Sequence, residues 1–462
     1  MNLQEKGGDG LSAAKGYMLS GSISRGIVKF AIPLFFGNLF QQLYNTADSL
    51  IVGNKLGDTA LAAVSSTGTL IFLLIGFFQG IGLGAGVVVA QFFGAKDRRN
   101  LRLSIHTYLS LSVVIGLFLT VAATLLAPQI LTWMGTPSEV MPEAVEYIRV
   151  YFLGSLGLVM YNACMGIMQA VGDSKHPLYY LIVSSVINVV LDVVLIVGFG
   201  FGVWAAALAT VVSQFISVIL CMSKLLKSTE DYGVRLRELG FDKRMVRMIL
   251  RIGLPSGVQN SIIAFANVIV QSNINYFGKM AMAGCGAYSK IEGFAFLPIT
   301  SFTAAITTFV GQNLGAGKRD RVRKGARFGI LSAMILAELI GLAFYVFAPV
   351  LISAFTREPH AVAFGVQKAR TCALFYCLLA ATHSFAAVLR GAGKSVVPMV
   401  AMLVFWCVVR VGFLMITVPL TGVIDVVNWV YPLTWTLSSA ALFIYYLRAD
   451  WLNSSIVSGQ GG

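Results

Sequence analysis

The stretch Met168-Gln-Ala-Val-Gly-Asp-Ser-Lys-His-Pro177 returns as Leu389-Arg-Gly-Ala-Gly-Lys-Ser-Val-Val-Pro398, and Pro398 minus Pro177 is 221. The same offset aligns Gln91-Phe-Phe-Gly-Ala-Lys-Asp-Arg-Arg99 with Gln312-Asn-Leu-Gly-Ala-Gly-Lys-Arg-Asp320. One residue of slippage aligns Ile32-Pro33 and Asn38 with Leu254-Pro255 and Asn260. The chain is therefore two copies of one unit. Two apolar halves of about 220 residues imply a repeat-built membrane protein, with its working site between or inside two lobes.

Composition places both halves in lipid. Hydrophobic residues make up 57% and charged residues 12%, against ~25% charged in an ordinary soluble domain. Apolar runs long enough to span a bilayer predict twelve helices, six per half. They lie near 27–53, 62–92, 103–127, 146–170, 176–199, 202–222, 247–277, 283–313, 328–349, 368–390, 396–419 and 424–447. The runs do not alternate and are too long for barrel strands, so the expected fold class is all-α. The lobes are expected at 1–230 and 231–462, as two six-helix bundles related by a pseudo-twofold along the membrane normal.

The net charge of +14 invites a nucleic-acid reading, and its distribution argues against one. With twelve spans, 26 of the 34 Lys and Arg fall on one side. Six fall on the other: Lys55, Arg149, Lys279, Arg357, Lys368 and Arg370; Lys290 and Arg410 lie inside spans. The positive-inside rule then puts both termini in the cytoplasm of a multi-pass cell-membrane protein. The expected partners are the bilayer and small molecules, with no nucleic acid, and the chain is expected to be a monomer. The six cysteines lack metal-ligand spacing and read as small buried residues. No signal-peptide pattern precedes the first span. Gly391-Ala-Gly-Lys-Ser395 resembles the tail of a P-loop, but Val388 replaces the required glycine and no strand precedes it. Gly80-Ile-Gly-Leu-Gly-Ala-Gly86 has small-xxx-small spacing and reads as helix packing.

Ionisable residues inside apolar spans need a reason. Asp48 in the first span lies ~8 Å from its outer end, and Asp192 in the fifth and Thr210 in the sixth lie ~12 Å deep, at the helical rise per residue. Asn188 sits one turn below Asp192 on the same face. Gln41, Tyr44 and Asp48 form one polar stripe. Carboxylates, an amide and a hydroxyl at one depth suit a proton or a small hard cation. Helix–helix hydrogen bonds that merely hold a bundle together are the alternative. In the second half, Val270 stands opposite Asp48, and the seventh span offers uncharged Gln259, Asn260, Asn267 and Gln271. Glu292 and His383 are candidate pocket-lining residues, although a histidine on an apolar helix is more often a packing residue. Glu338 and Arg410 are expected to pair. Pro33 lacks a backbone donor and offers the first span a hinge.

The chain resembles the multidrug and toxic compound extrusion (MATE) family, most closely its DinF-like branch. The resemblance rests on Ile32-Pro33, Gln41-Gln-Leu-Tyr-Asn-Thr-Ala-Asp48, Gln91 with Gly94-Ala95, Gly172-Asp-Ser174, Asn188-Val-Val-Leu-Asp192, Ala207-Leu-Ala-Thr210 with Ser213-Gln214, Pro255-Ser256, Pro298, Gly311-Gln-Asn313 and Gly391-Ala-Gly-Lys394. It implies a bacterial secondary active exporter of lipophilic, often cationic compounds, coupled to protons or sodium and needing no cofactor. It also implies that Asp48, Asn188, Asp192 and Thr210 form the amino-lobe cation site, with Gln41 and Tyr44 lining the same region. The second half lacks the acids that make a carboxyl-lobe sodium site in the branch resembling NorM. A flippase for a lipid-linked or polyprenyl precursor shares the repeat architecture and stands as the alternative. No motif supports an enzyme.

Overall fold

The computed structural model describes residues 16–457, and among them every regular element is helical. Twelve helical elements follow in chain order. They are α1 (Ile23–Leu56), α2 (Asp58–Ala95), α3 (Arg98–Trp133), α4 (Met141–Leu153 with Ser155–Ala170), α5 (Lys175–Asp192 continued by Val193–Gly198) and α6 (Trp204–Leu226). The second set is α7 (Lys243–Tyr276), α8 (Lys279–Gly315), α9 (Arg319–Ser353), α10 (Pro359–Ala373 with Tyr376–Gly391), α11 (Val396–Met402, Leu403–Val409 and Arg410–Thr421) and α12 (Asp425–Arg448).

Nine of these are apolar enough to cross a membrane, and the two bent pairs, α4 and α10, bring the count to 11. The remaining one, α12, is 24 residues long, or about 36 Å at the helical rise. Asn428, Thr434, Ser438 and Ser439 lower its hydropathy, and all four are buried. Each of the twelve expected segments is helical.

Backbone geometry repeats with the sequence. Gly57 and Gly278, both at φ 89°, precede α2 and α8. Lys96 (φ 56°) matches Gly317 (φ 70°), and Gly172 (φ 93°) matches Gly393 (φ 79°). Each pair is separated by 221 positions, taken as the difference of the two numbers. The break in α4 at Gly154 recurs in α10 at Leu374–Phe375, with bends of 48° and 54°. The opening motif is thus a helix stop. The Asp173 amide donates to Met168 O (2.8 Å), as Lys394 donates to Leu389 O (2.8 Å). A left-handed residue between these bonds lets the chain reverse, which is why glycine recurs there.

Packing divides the chain into two compact units, Phe36–Gly257 and Gly16–Phe35 with the chain from Val258 onward. These follow the repeat, except that the start of α1 packs in the second unit and the start of α7 in the first. Within the first unit Gly80 and Gly84 of α2 lie on Gly257 and Gly253 of α7, so close that a Cβ on either side would overlap backbone. This is the packing role expected of the Gly80–Gly86 motif. Within the second unit Phe30, Ala31 and Leu34 of α1 pack with Ala305 and Phe309 of α8.

The stretch between α6 and α7 is held against the start of α3. The Arg235 amide donates to His106 Nε2 (3.0 Å) and the Asp242 amide to Thr107 Oγ1 (3.2 Å). His106 Nδ1 meets Arg102 O at 2.7 Å. Because Nε2 accepts from Arg235, Nδ1 carries the proton and donates. Asp242 then opens α7 by accepting from the Met245 amide at 2.9 Å.

Candidate functional site: a buried acidic cluster in the first unit and a basic aromatic cluster in the second

The stripe on α1 becomes more buried from exposed Gln41 through half-buried Tyr44 to Asp48, which is 8% exposed. Asp192 ends the regular part of α5 and is fully buried, with Asn188 one turn before it. A wider π turn over Val193–Gly198 follows directly, a backbone irregularity of the kind that collects at functional sites. Helices α5 and α6 are tied by Ser184 Oγ, which donates to Ser213 O at 3.0 Å. They are tied again by Asn188 Nδ2, which reaches Thr210 Oγ1 at 3.4 Å. Asp192 and Asp48 lie within electrostatic reach of each other, and Tyr147 of α4 feels both.

What distinguishes the cluster is its unspent acceptors. Asp48 Oδ1, both carboxylate oxygens of Asp192 and Asn188 Oδ1 are buried and accept no hydrogen bond. Among the described residues neither acid forms an ion pair. A buried acceptor without a donor is costly, and a bare carboxylate more so. Four such oxygens on two helices are the donor set a proton or hard cation would satisfy. Among the described residues no three His, Cys, Asp or Glu converge as a metal centre would require. Sequence reading missed Tyr147 and Tyr151, which stack 6.2 Å apart beside this cluster. Their four-residue spacing on the fourth span was the available signal.

In the second unit Gln259 is 2% exposed with Oε1 unpartnered, Asn260 is half-buried and Asn267 is exposed. His383 packs edge-on against Phe296 (5.0 Å) and Trp406 (5.7 Å), and its Nε2 is buried without a partner. Glu292 accepts from Tyr288 OH at 3.0 Å, and that hydroxyl meets Tyr376 OH at 2.9 Å.

Two expectations need correction here. Glu338 does not pair with Arg410. Its Oε2 accepts from the Cys377 amide at 3.0 Å, capping the start of the second part of α10. Arg410 instead donates from Nη2 to Thr434 Oγ1 at 2.8 Å. Lys368 does not face the outer surface. It belongs to the first part of α10, which begins at Pro359, and it is 2% exposed between the rings of Tyr288 (5.3 Å) and Tyr431 (5.0 Å).

Twelve helices in two repeats, with buried charge inside apolar spans, define a polytopic membrane transporter. The MatE family pattern matches residues 33–194 and again 255–416, and the chain belongs to that family. It is 31% identical to Probable multidrug resistance protein YoeA of Bacillus subtilis, over 92% of this chain and 94% of that one. It is 26% identical to Probable multidrug resistance protein NorM of Thermotoga maritima, over 82% of each. The solved structure of a MOP superfamily transporter from Pyrococcus furiosus superposes with a TM-score of 0.89 at 25% identity, over 95% of this chain and 98% of that one. An outward-facing multidrug resistance MATE transporter superposes at 0.88, also at 25% identity, over 94% and 98%.

Proposed function

We propose that the protein is a secondary active multidrug efflux antiporter of the bacterial cell membrane, with both termini cytoplasmic. It exports lipophilic, often cationic compounds in exchange for protons or sodium ions. The observation that carries this reading is the set of four buried, unpartnered oxygens on Asp48, Asn188 and Asp192. Thr210 completes the site through its bond to Asn188. The names of the relatives in Bacillus and Thermotoga support the export role.

In this reading the four residues hold the coupling ion, and its arrival from outside neutralises the charge of Asp48 or Asp192 inside the first unit. α1 then changes its packing. Pro33 is the place to bend, because it leaves one backbone carbonyl without its helical donor. The boundary between packing units falls at Phe35, two residues beyond Pro33, and at Gly257, two beyond Pro255. Each long helix thus passes from one unit to the other just after its proline.

The test is ethidium efflux from vesicles carrying the purified protein, with a proton or a sodium gradient imposed separately. One gradient should drive efflux and its collapse should stop it. Efflux unaffected by either gradient would overturn the coupling. A flippase for a lipid-linked or polyprenyl precursor is the second reading, favoured by the buried cations of the second unit.

A further inference from the structure

The second unit buries more positive than negative charge. Arg410 is fully buried and Lys368 is 2% exposed. Glu292 lies within electrostatic reach of both and is itself engaged by Tyr288. Among the described residues neither cation forms an ion pair, and Arg410 Nε is buried without a partner. What surrounds them is aromatic. The Arg410 guanidinium lies 4.8 Å from the ring of Trp406 and 4.8 Å from that of Tyr431. Tyr431 also carries Lys368 on its ring, so one phenol bridges both cations. A π turn over Leu403–Val409 ends where Arg410 begins, as the first unit's π turn begins where Asp192 ends.

Ring faces soften the burial of a cation but do not discharge it. Two buried cations beside flat rings, one with an unspent N–H donor, are complementary to a flat molecule that carries negative charge. Guanidinium geometry in particular fits two-oxygen acceptors such as carboxylate and phosphate. We propose that Lys368 and Arg410, with the rings of Tyr288, Tyr431 and Trp406, form a binding site in the second unit for a small aromatic anion. The substrate class is a planar ring system bearing a carboxylate, sulfonate or phosphate. This names a substrate class for the export reading and rests on that reading for transport, though not for binding. Glu292 is the internal counter-charge that such a ligand displaces electrostatically.

The experiment is equilibrium dialysis of the purified full-length protein in micelles. The probes are flavin mononucleotide and riboflavin, which share a ring and differ by one phosphate. Flavin mononucleotide should bind at least about tenfold more tightly, the change one charge-assisted hydrogen bond makes. Lys368→Gln and Arg410→Gln should each erase that preference while riboflavin binding persists. Glu292→Gln should tighten flavin mononucleotide alone. Arg98→Gln, at an exposed arginine that pairs with Asp231, should leave both affinities unchanged, and because dialysis imposes no ion gradient, failure of this site and failure of the coupling are told apart. Equal binding of the two flavins by the unsubstituted protein would overturn the site, whether or not the variants fold. A preference that survives both cation substitutions would overturn it too. Binding of farnesyl phosphate without flavin mononucleotide would overturn the aromatic class in favour of an isoprenoid lipid.

Discussion

Asp48 on α1 and Asp192 on α5 lie within electrostatic reach of each other, and among the described residues neither pairs with a cation. An amide imitates a protonated carboxyl in shape and removes its charge. Asp48→Asn and Asp192→Asn should therefore fold normally and lose gradient-driven export. A coupling free energy of the usual size puts the loss at about ten- to a hundredfold. Thermal stability and ethidium efflux, measured on the same preparations, separate the two effects. Normal gradient-driven efflux in both variants would remove these acids from the coupling step.

That Asp48, Asp192 and Thr210 lie on helices inside apolar spans was legible in the sequence, because the runs around them are long enough to fix their elements. The fold was legible for a similar reason: the 221-residue offset carries its own turn chemistry at Gly172 and Gly393. Rotation about each helix axis was not legible, and it decides which neighbours meet. Tyr147 could not be assigned to the acids from its position on the fourth span. Lys368 was misplaced because hydropathy began the tenth span at 368, whereas α10 begins at Pro359. A buried lysine lowers the hydropathy of its own helix and so hides the span that contains it. Arg410 and Glu338 both lie inside spans, but proximity in depth says nothing of facing, and each found another partner.

The close approach of α2 and α7 depends on glycine at four positions. Gly84→Leu should be destabilising, because its Cβ already overlaps the backbone of Gly253. The loss should be about 1–3 kcal/mol or more, as for other overpacked sites. Gly68→Leu is the control, since a Cβ there meets no heavy atom within 4 Å. A lower Tm in micelles for the first variant alone bears this out. Equal Tm values would mean that the helices part at little cost.

Glu338 holds the amide of Cys377 at the break in α10. Glu338→Ala should cost about 1 kcal/mol, the usual worth of a side chain that caps a helix start. Glu338→Gln keeps an acceptor oxygen and should lose less. Tm measurements on both variants, with Arg410→Gln as a comparison, check the assignment. If removing Glu338 and removing Arg410 gave strongly non-additive losses, the two would be coupled after all.

Pro33 and Pro255 lie inside continuous helices of 34 residues each. A proline in a helix interior costs about 3 kcal/mol relative to alanine. Replacing either should therefore raise Tm or leave it unchanged. In the proposed mechanism the cost is tolerated because each helix must bend where it passes between packing units. Pro33→Ala should slow gradient-driven efflux while leaving Asp48 and Asp192 in place. Pro255→Ala serves as the repeat-related comparison, and its effect shows whether α7 bends as α1 does. Efflux rates and Tm should move in opposite directions for a hinge. If Pro33→Ala raised Tm and left efflux at the unsubstituted rate, α1 would not bend there during transport, and the rearrangement of the first unit would have to begin elsewhere.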